Sequence, residues 1–141
     1  MNEPATIQSI LKNARTIAVV GLSEDRTRPS HGVAQYMQQH GYRIIPVNPH
    51  IGMTLNERAY TTLDQACSAL KGSGVTIDLV NVFRAPSFVP EIVKDVMRLK
   101  ISALWLQEGV CHEEAVSWAE ADGVQVVMDR CILKEHAAIL A

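Results

Sequence analysis

One polar loop of this 141-residue chain combines the residue types that bind phosphate groups. Residues 16–30 read TIAVVGLSEDRTRPS, so a short apolar run stops at a glycine and a polar loop leads into a helical pattern. A glycine permits a tight turn, and a helix start offers free N–H groups with a partial positive charge. The loop therefore predicts an anion site; the alternative is a solvated polar loop in which Ser30 caps the helix. The candidate phosphate-binding residues are Gly21, Ser23, Arg26, Arg28 and Ser30.

The residues after the second apolar run bear on which nucleotide this loop would bind. The first glycine of the dinucleotide fingerprint GxGxxG is present, but Ser23 stands in place of the second. A NAD site also needs an acidic residue at the end of the second strand, and this chain has Val47, Asn48 and Pro49 there. A plain NAD site is therefore disfavoured. Pro49 could stiffen one wall of an adenine site, or it could belong to a rigid turn without a ligand.

Two later strand ends add further polar groups. Phe83 and Arg84 close the third long apolar run, and Gln107, Glu108 and Gly109 follow the fourth. Ligands of open α/β sheets bind at the carboxyl ends of the strands, so Arg84 is a third candidate cation for a phosphate. The alternative for Arg84 is an exposed strand-end side chain. Gln107 could recognise an amide or a hydroxyl group, whereas Glu108 should face solvent or another part of a ligand.

Catalytic residues are not indicated. Asp129, Cys131 and His136 form an Asp–Cys–His set on paper, but His136 is a helical turn or more from Cys131. We expect Asp129 to cap the last helix and Cys131 to pack. The three cysteines are an odd number without a CxxC pair, which argues against a disulfide framework and a zinc site and is typical of a reduced, cytoplasmic protein.

The elements that must position these residues alternate between strand and helix. Buried parallel strands are expected as short apolar runs, and Pro46 places the second strand at an edge or near its end. The alternation predicts a Rossmann-like, doubly wound α/β fold with a mostly parallel five-stranded sheet and helices on both faces. Trp105 and Cys67 are expected in the core, and His31 at the surface. The predicted strands cover residues 17–20, 42–47, 77–83, 102–107 and 124–128, and the predicted helices cover residues 4–14, 31–40, 62–70, 87–99, 112–121 and 131–140.

Composition restricts the classes of protein. The length fits one domain over residues 1–141, and 48% hydrophobic residues argue against disorder. The net charge is −2 with no basic tract, so no nucleic-acid partner is expected. No apolar run is long enough to span a membrane, and no signal peptide is evident. A small-molecule ligand is the expected partner, and a homo-oligomer stays open.

Six short motifs together resemble a known family. The sequence resembles the small stand-alone CoA-binding proteins, whose domain is similar to the N-terminal domain of the succinyl-CoA synthetase alpha subunit. The resemblance extends over residues 10–138. Each motif alone is weak. The motifs are Val20-Gly21-Leu22-Ser23, Arg28-Pro29-Ser30, Pro46-Val47-Asn48-Pro49, Val82-Phe83-Arg84, Leu104-Trp105-Leu106-Gln107-Glu108-Gly109 and Met128-Asp129-Arg130-Cys131.

The resemblance implies a coenzyme A site along the carboxyl ends of the first strands. In that family's arrangement, phosphates would be held by Gly21, Ser23, Arg26 and Ser30. The nucleotide would be bounded by Val47, Asn48, Pro49, Phe83 and Arg84, with Gln107 and Gly109 toward pantetheine. Ligase activity is not implied, because the ligase histidine and its ATP-grasp partner belong to segments that have no counterpart here. His112 stands where a small polar helix cap would be expected.

Three functions follow as hypotheses. The favoured one is binding of CoA or an acyl-CoA without chemistry of its own. The alternatives are a NAD(P)-dependent Rossmann enzyme, in which Arg43 or Arg84 would meet a 2′-phosphate, and an interaction module without a ligand. A smaller hypothesis is a mixed disulfide between the CoA thiol and Cys111 or Cys131.

Overall fold

All five predicted strands form one parallel sheet in the computed structural model, which describes residues 1–140. The six predicted helices are also present, so the α/β fold class is confirmed. The strands are β1 (Thr16–Val20), β2 (Arg43–Val47), β3 (Met53–Thr54), β4 (Glu57–Arg58), β5 (Leu79–Val82), β6 (Ala103–Leu106) and β7 (Gln125–Val127). The helices are α1 (Pro4–Asn13), α2 (Pro29–Gln39), α3 (Leu63–Leu70), α4 (Val89–Arg98), α5 (Glu113–Ala121) and α6 (Ile132–Ile139).

The strand order in the sheet is β2-β1-β5-β6-β7. Strand β1 is buried along its whole length, as a strand covered on both faces must be. Strand β2 is one of the two edge strands, as Pro46 indicates, because a proline cannot donate to a neighbour on that side. The backbone of Tyr60 partly covers this edge, since its N–H donates to the Pro46 carbonyl at 2.9 Å.

Helices cover both faces of the sheet, which confirms the doubly wound arrangement. Buried residues of α1, α2 and α6 pack on one face with Ile17, Val19 and Trp105. Buried residues of α3, α4 and α5 pack on the other face with Ala18 and Leu104. Both cores are mostly aliphatic, and their burial supplies most of the stability of the fold. No helix within residues 1–140 is long and apolar enough to cross a bilayer.

The residues around the start of α2 differ from the sequence prediction in three ways. Ser30 is not the N-cap, because the helix begins at Pro29, whose fixed φ suits a first-turn position. His31 is buried, with 5% of its surface exposed, so its expected surface position was wrong. The supply of free N–H groups is also smaller than expected. The N–H groups of His31 and Gly32 both donate to the Arg28 carbonyl. In the first turn of α2, only the Ser30 N–H has no partner within residues 1–140.

Further differences lie in loops. Residues 50–61, which lie outside the predicted strands and helices, contain the short β3–β4 hairpin. Asp129 does not cap α6; Cys131 takes the N-cap position, and no side chain caps the helix. Asp129 has a φ of +60° and accepts a hydrogen bond from the Gly109 N–H at 2.7 Å instead. His112 does cap α5, since its Nδ1 accepts from the Ala115 N–H at 3.1 Å. Cys67 is half-buried rather than part of the core.

A buried histidine predicts how stability depends on pH. Burial, and then the nearby His40, lower the pKa of His136 below its ordinary value of 6.5. The unfolded chain therefore takes up this proton at a higher pH than the folded chain, and the free energy of unfolding should fall as pH drops below 6.5. Besides His40, the groups that face His136 are Tyr36, whose hydroxyl lies 3.0 Å from Nδ1, and the Tyr42 ring.

Urea unfolding at about pH 7.5 and about pH 5.5 measures this decline. His136→Gln is the matched variant, because it keeps a polar side chain that does not titrate. We expect the decline to be smaller in His136→Gln than in the wild type. An equal decline in both proteins would contradict the assignment to His136.

Candidate ligand-binding site

The strand order creates a crevice at the carboxyl ends of β1 and β5. The chain leaves β1 for the edge strand β2 and later returns to the opposite side of β1 as β5. The helix after β1, α2, lies on one face of the sheet, and the helix after β5, α4, lies on the other. The loops that follow these two neighbouring strands therefore diverge, and such a switch point is where open α/β sheets bind ligands.

Gly21 lies at the centre of this crevice and cannot be replaced there without strain. Its φ is +86°, and a Cβ at this position would lie 2.6 Å from the Phe83 carbonyl oxygen and 2.9 Å from Cδ of Arg84. The backbone here is held on both sides. The Gly21 N–H donates to the Val47 carbonyl, and the Phe83 N–H donates to the Val20 carbonyl, each at 2.9 Å. The glycine thus lets the loops after β1 and β5 touch.

Two serines fold the loop after β1 into a fixed shape. Ser30 Oγ is buried and accepts a hydrogen bond from the Ser23 N–H at 3.0 Å. Ser23 Oγ accepts one from the Asp25 N–H at 3.0 Å. Both oxygens act as acceptors in these contacts, so each hydroxyl proton is still available to a ligand.

Three arginines surround the crevice with different degrees of constraint. Arg28 is 71% exposed, and its Nε lies 4.0 Å from Asp25, so that pairing is weak. Hydrogen bonds from Thr27, and then the charge of Arg28, lower the pKa of Asp25, which keeps this carboxylate ionised. Arg26 is exposed and Arg84 half-buried, and neither makes an ion pair within residues 1–140. The guanidinium of Arg84 lies 3.8 Å from the centre of the Phe88 ring, a contact that restricts its position.

Two adjoining cavities open at this edge, and we call them the first and the second cleft. The first cleft has a volume of about 380 Å³ and is lined by Gly21, Ser23, Arg28, Pro29, Ser30 and Phe83. The second has a volume of about 410 Å³ and is lined by Pro29, Val33, Phe83, Arg84, Gln107, Glu108, Val110 and Cys131. Pro29 and Phe83 line both, so the clefts are neighbours. The first is lined by groups that bind anions, and the second has an apolar wall.

Glu108, which would oppose a phosphate, is paired with an exposed lysine. Lys134 Nζ lies 3.1 Å and 3.2 Å from its two carboxylate oxygens. This pairing with the neighbouring helix α6 could not be read from the sequence. Sequence reasoning also did not assign Pro29, Val33 or Val110 to the site. Pro29 and Val33 are four residues apart on α2, a spacing that puts them on one helix face.

The remaining predicted residues support the site from outside the two clefts. Asn48 Nδ2 donates to the Leu22 carbonyl at 3.0 Å, which ties the loop after β2 to the loop after β1. Val47 is buried at the end of β2, and Pro49 is exposed. Gly109 has a φ of +82° and is bound to Asp129, so it joins the loops after β6 and β7. Neither Arg26 nor these residues line the two clefts.

Asp129, Cys131 and His136, the Asp–Cys–His set, each contact different parts of the structure. Asp129 accepts from Gly109, Cys131 lines the second cleft, and His136 Nδ1 contacts the Tyr36 hydroxyl. Each of the three residues therefore has contacts of its own. Within the described residues, no group of three or more His, Cys, Asp or Glu side chains could hold a metal ion.

A parallel sheet covered on both faces, with a crevice at its switch point, defines the Rossmann-like class of α/β domains. The comparison with family models is more specific. The model described as CoA binding domain matches residues 15–137, so this chain belongs to the CoA-binding domain family. This result confirms the resemblance found from the six motifs.

Known relatives extend over nearly the whole chain. The chain is 40% identical to the uncharacterized protein YneT of Bacillus subtilis over 133 residues, which are 94% of this chain and 93% of that protein. A solved structure from Thermus thermophilus is 32% identical and superposes with a TM-score of 0.82 over 96% of this chain and 98% of its own. A hypothetical protein from Pyrococcus horikoshii is 28% identical, with a TM-score of 0.86 over 97% and 92% of the two chains.

Proposed function

We propose that this protein binds coenzyme A or an acyl-CoA, as a single binding domain over residues 1–141 and without ligase chemistry. The observation that carries the proposal is the pair of adjoining clefts at the carboxyl ends of β1 and β5. One is lined by serines and an arginine, and the next has an apolar wall with one amide, besides Arg84 and Glu108. CoA has the same two parts, since a polyanionic nucleotide is joined to a long, mostly uncharged pantetheine arm. The family match supports the same ligand.

In this proposal the phosphates lie in the first cleft. Ser23 and Ser30 donate their hydroxyl protons, and Arg26, Arg28 and Arg84 balance the negative charge. Val47, Asn48 and Pro49 bound the nucleotide, and Phe83 separates it from the arm. The absence of an acid after β2 suits a ribose that carries a 3′-phosphate. Gln107 and Gly109 lie toward the pantetheine side. We also propose a cytoplasmic location, which suits the three free thiols.

Calorimetric titration of ligand-stripped protein with CoA tests the proposal. We expect binding that weakens between about 50 mM and about 300 mM salt, because the contacts to phosphates are ionic. NADPH and ADP are the control ligands. Tighter binding of NADPH than of CoA would instead support a NAD(P)-dependent protein. If none of these ligands gives heat or a thermal shift, the proposal is wrong and a protein partner becomes the better hypothesis.

Removal of Arg84, the arginine that contacts the Phe88 ring, tests the contact to phosphate directly. Arg84→Ala should weaken CoA binding about tenfold, or about 1.4 kcal/mol, because a charge-assisted contact to phosphate is lost. Arg26→Ala should act in the same direction with a smaller effect, since its side chain is exposed.

The matched control is Lys100→Asn, which also removes one positive charge. Lys100 lies before β6, at the opposite end of the strands, and its φ of +58° is one that asparagine tolerates. Its CoA affinity should stay within about twofold of the wild type. Equal losses in Arg84→Ala and Lys100→Asn would mean that only net charge matters, and would argue against a specific phosphate contact.

A further inference from the structure

The second cleft contains a thiol on a fixed backbone. Cys131 is 8% exposed and lines the cleft at the N-cap position of α6. Both backbone groups of its neighbour Arg130 are hydrogen-bonded. The Arg130 N–H donates to the Leu106 carbonyl at 3.3 Å, and the Arg130 carbonyl accepts from Trp105 Nε1 at 2.9 Å. Cys131 therefore lines the cleft on a loop that the core positions.

A second, independent feature of this cleft points to a ligand. Gln107 is 5% exposed, and its Oε1 accepts a hydrogen bond from the Ile132 N–H at 3.0 Å. Its Nε2 makes no hydrogen bond within residues 1–140, although Gln107 lines the cleft. Nε2 is not a fully buried atom, so it reaches the open cleft and is free to donate to a ligand there. The carbonyl oxygens of a pantetheine arm are acceptors of the right kind.

We propose that Cys131 captures the thiol end of CoA as a mixed disulfide, by exchange with CoA disulfide. This inference rests on the proposed function, because the nucleotide in the first cleft would bring the arm into the second. In the reaction, the deprotonated Cys131 sulfur attacks one sulfur of CoA disulfide. A bond forms between Cys131 and that CoA sulfur, the original S–S bond breaks, and the second CoA leaves as a thiolate that takes up a proton. No other oxidant is required.

The other two cysteines are less suited to this exchange. Burial, and then the charge of Asp64, raise the pKa of the Cys67 thiol. Partial desolvation, and then the carboxylate of Asp129, raise the pKa of Cys111, which is exposed. Both shifts reduce the fraction of attacking thiolate at neutral pH. Neither residue lines either cleft.

The experiment combines intact mass with peptide mapping. Reduced, ligand-free protein is incubated with CoA disulfide, and we expect one CoA unit per chain, removable by dithiothreitol, on the peptide that contains Cys131. Glutathione disulfide, which lacks the nucleotide, should modify Cys131 at least about tenfold more slowly. Cys131→Ser should give no adduct, whereas Cys111→Ser should react like the wild type. Mapping the wild-type adduct identifies the cysteine even if the Cys131 variant does not fold.

Titration of the same preparations with reduced CoA separates this inference from the proposed function. Wild-type protein that binds reduced CoA but forms no adduct, or forms it on Cys111, overturns the role of Cys131 and leaves CoA binding intact. Protein that neither binds CoA nor reacts overturns the proposed function itself. Equal rates with CoA disulfide and glutathione disulfide would also overturn the inference, because the cleft would then give no advantage.

Discussion

Gly21→Ala should lower the free energy of unfolding by about 3 kcal/mol or more and reduce CoA binding in whatever protein remains folded. A φ of +86° costs any non-glycine residue about 1–2 kcal/mol. The larger part comes from the 2.6 Å approach of the new Cβ to the Phe83 carbonyl oxygen. That oxygen cannot simply move away, because the adjacent Phe83 N–H is hydrogen-bonded to Val20. The loops after β1 and β5 must then separate, which widens the first cleft.

Thermal unfolding and CoA titration measure the two effects. For a chain of this length the loss corresponds to a decrease in Tm of about 10 °C. Gly41→Ala is the matched control, because its φ is +96° but nothing lies within 4 Å of its Cβ position. It should cost only about 1 kcal/mol and leave CoA affinity unchanged. Similar losses at both glycines would show that backbone strain alone matters, and that the contact with Phe83 does not.

Trp105→Ala should be the most destabilising single change in the sheet, at about 3–5 kcal/mol. Trp105 is fully buried in β6, as the sequence predicted, and it is among the largest buried side chains. Its removal leaves a cavity between the sheet and the helices α1, α2 and α6. It also removes the hydrogen bond from Nε1 to the Arg130 carbonyl, so the loop that carries Cys131 should become less ordered.

Chemical denaturation and hydrogen exchange test this prediction. Trp118→Ala is the matched control, because Trp118 is only partly buried where it packs against the other core, and its loss should cost about 1 kcal/mol. Trp105→Phe keeps most of the apolar volume but lacks the Nε1 donor, and we expect faster exchange of the Arg130 N–H in it. If Trp105→Ala is no worse than Trp118→Ala, the core around β6 is less tightly packed than its burial indicates.

Local patterns were sufficient for the five strands of the parallel sheet and for the six helices. Each strand of a sheet covered on both faces is a short run of apolar residues, and Thr16–Val20 is recognisable without any knowledge of its neighbours. The alternation of strands and helices then leaves few topologies, so the parallel sheet followed as well. The motifs around Gly21, Phe83 and Gln107 were enough to indicate the CoA-binding family, although each is weak alone.

The tertiary structure decided how the loops are partnered. The alternative in which Ser30 caps its own helix is wrong, because its oxygen accepts from the Ser23 N–H instead. Asp129 was expected to cap α6, but it accepts from Gly109, twenty residues away. His31 was expected at the surface and is buried. For Ser30 and Asp129, the local sequence permits several hydrogen-bond partners of similar energy. Which partner forms the bond depends on which strand ends lie side by side in the sheet.

For the same reason, the sequence predicts the loop after β1 but not the complete binding site. From the residues alone, the sequence determined a glycine turn with serines and arginines at the end of a buried strand. Only the order β2-β1-β5-β6-β7 puts that turn against Phe83 and forms a second cleft beside it, with Gln107 and Cys131 in its wall. Contacts between segments that are tens of residues apart depend on the packing of the whole sheet, and no local pattern records them.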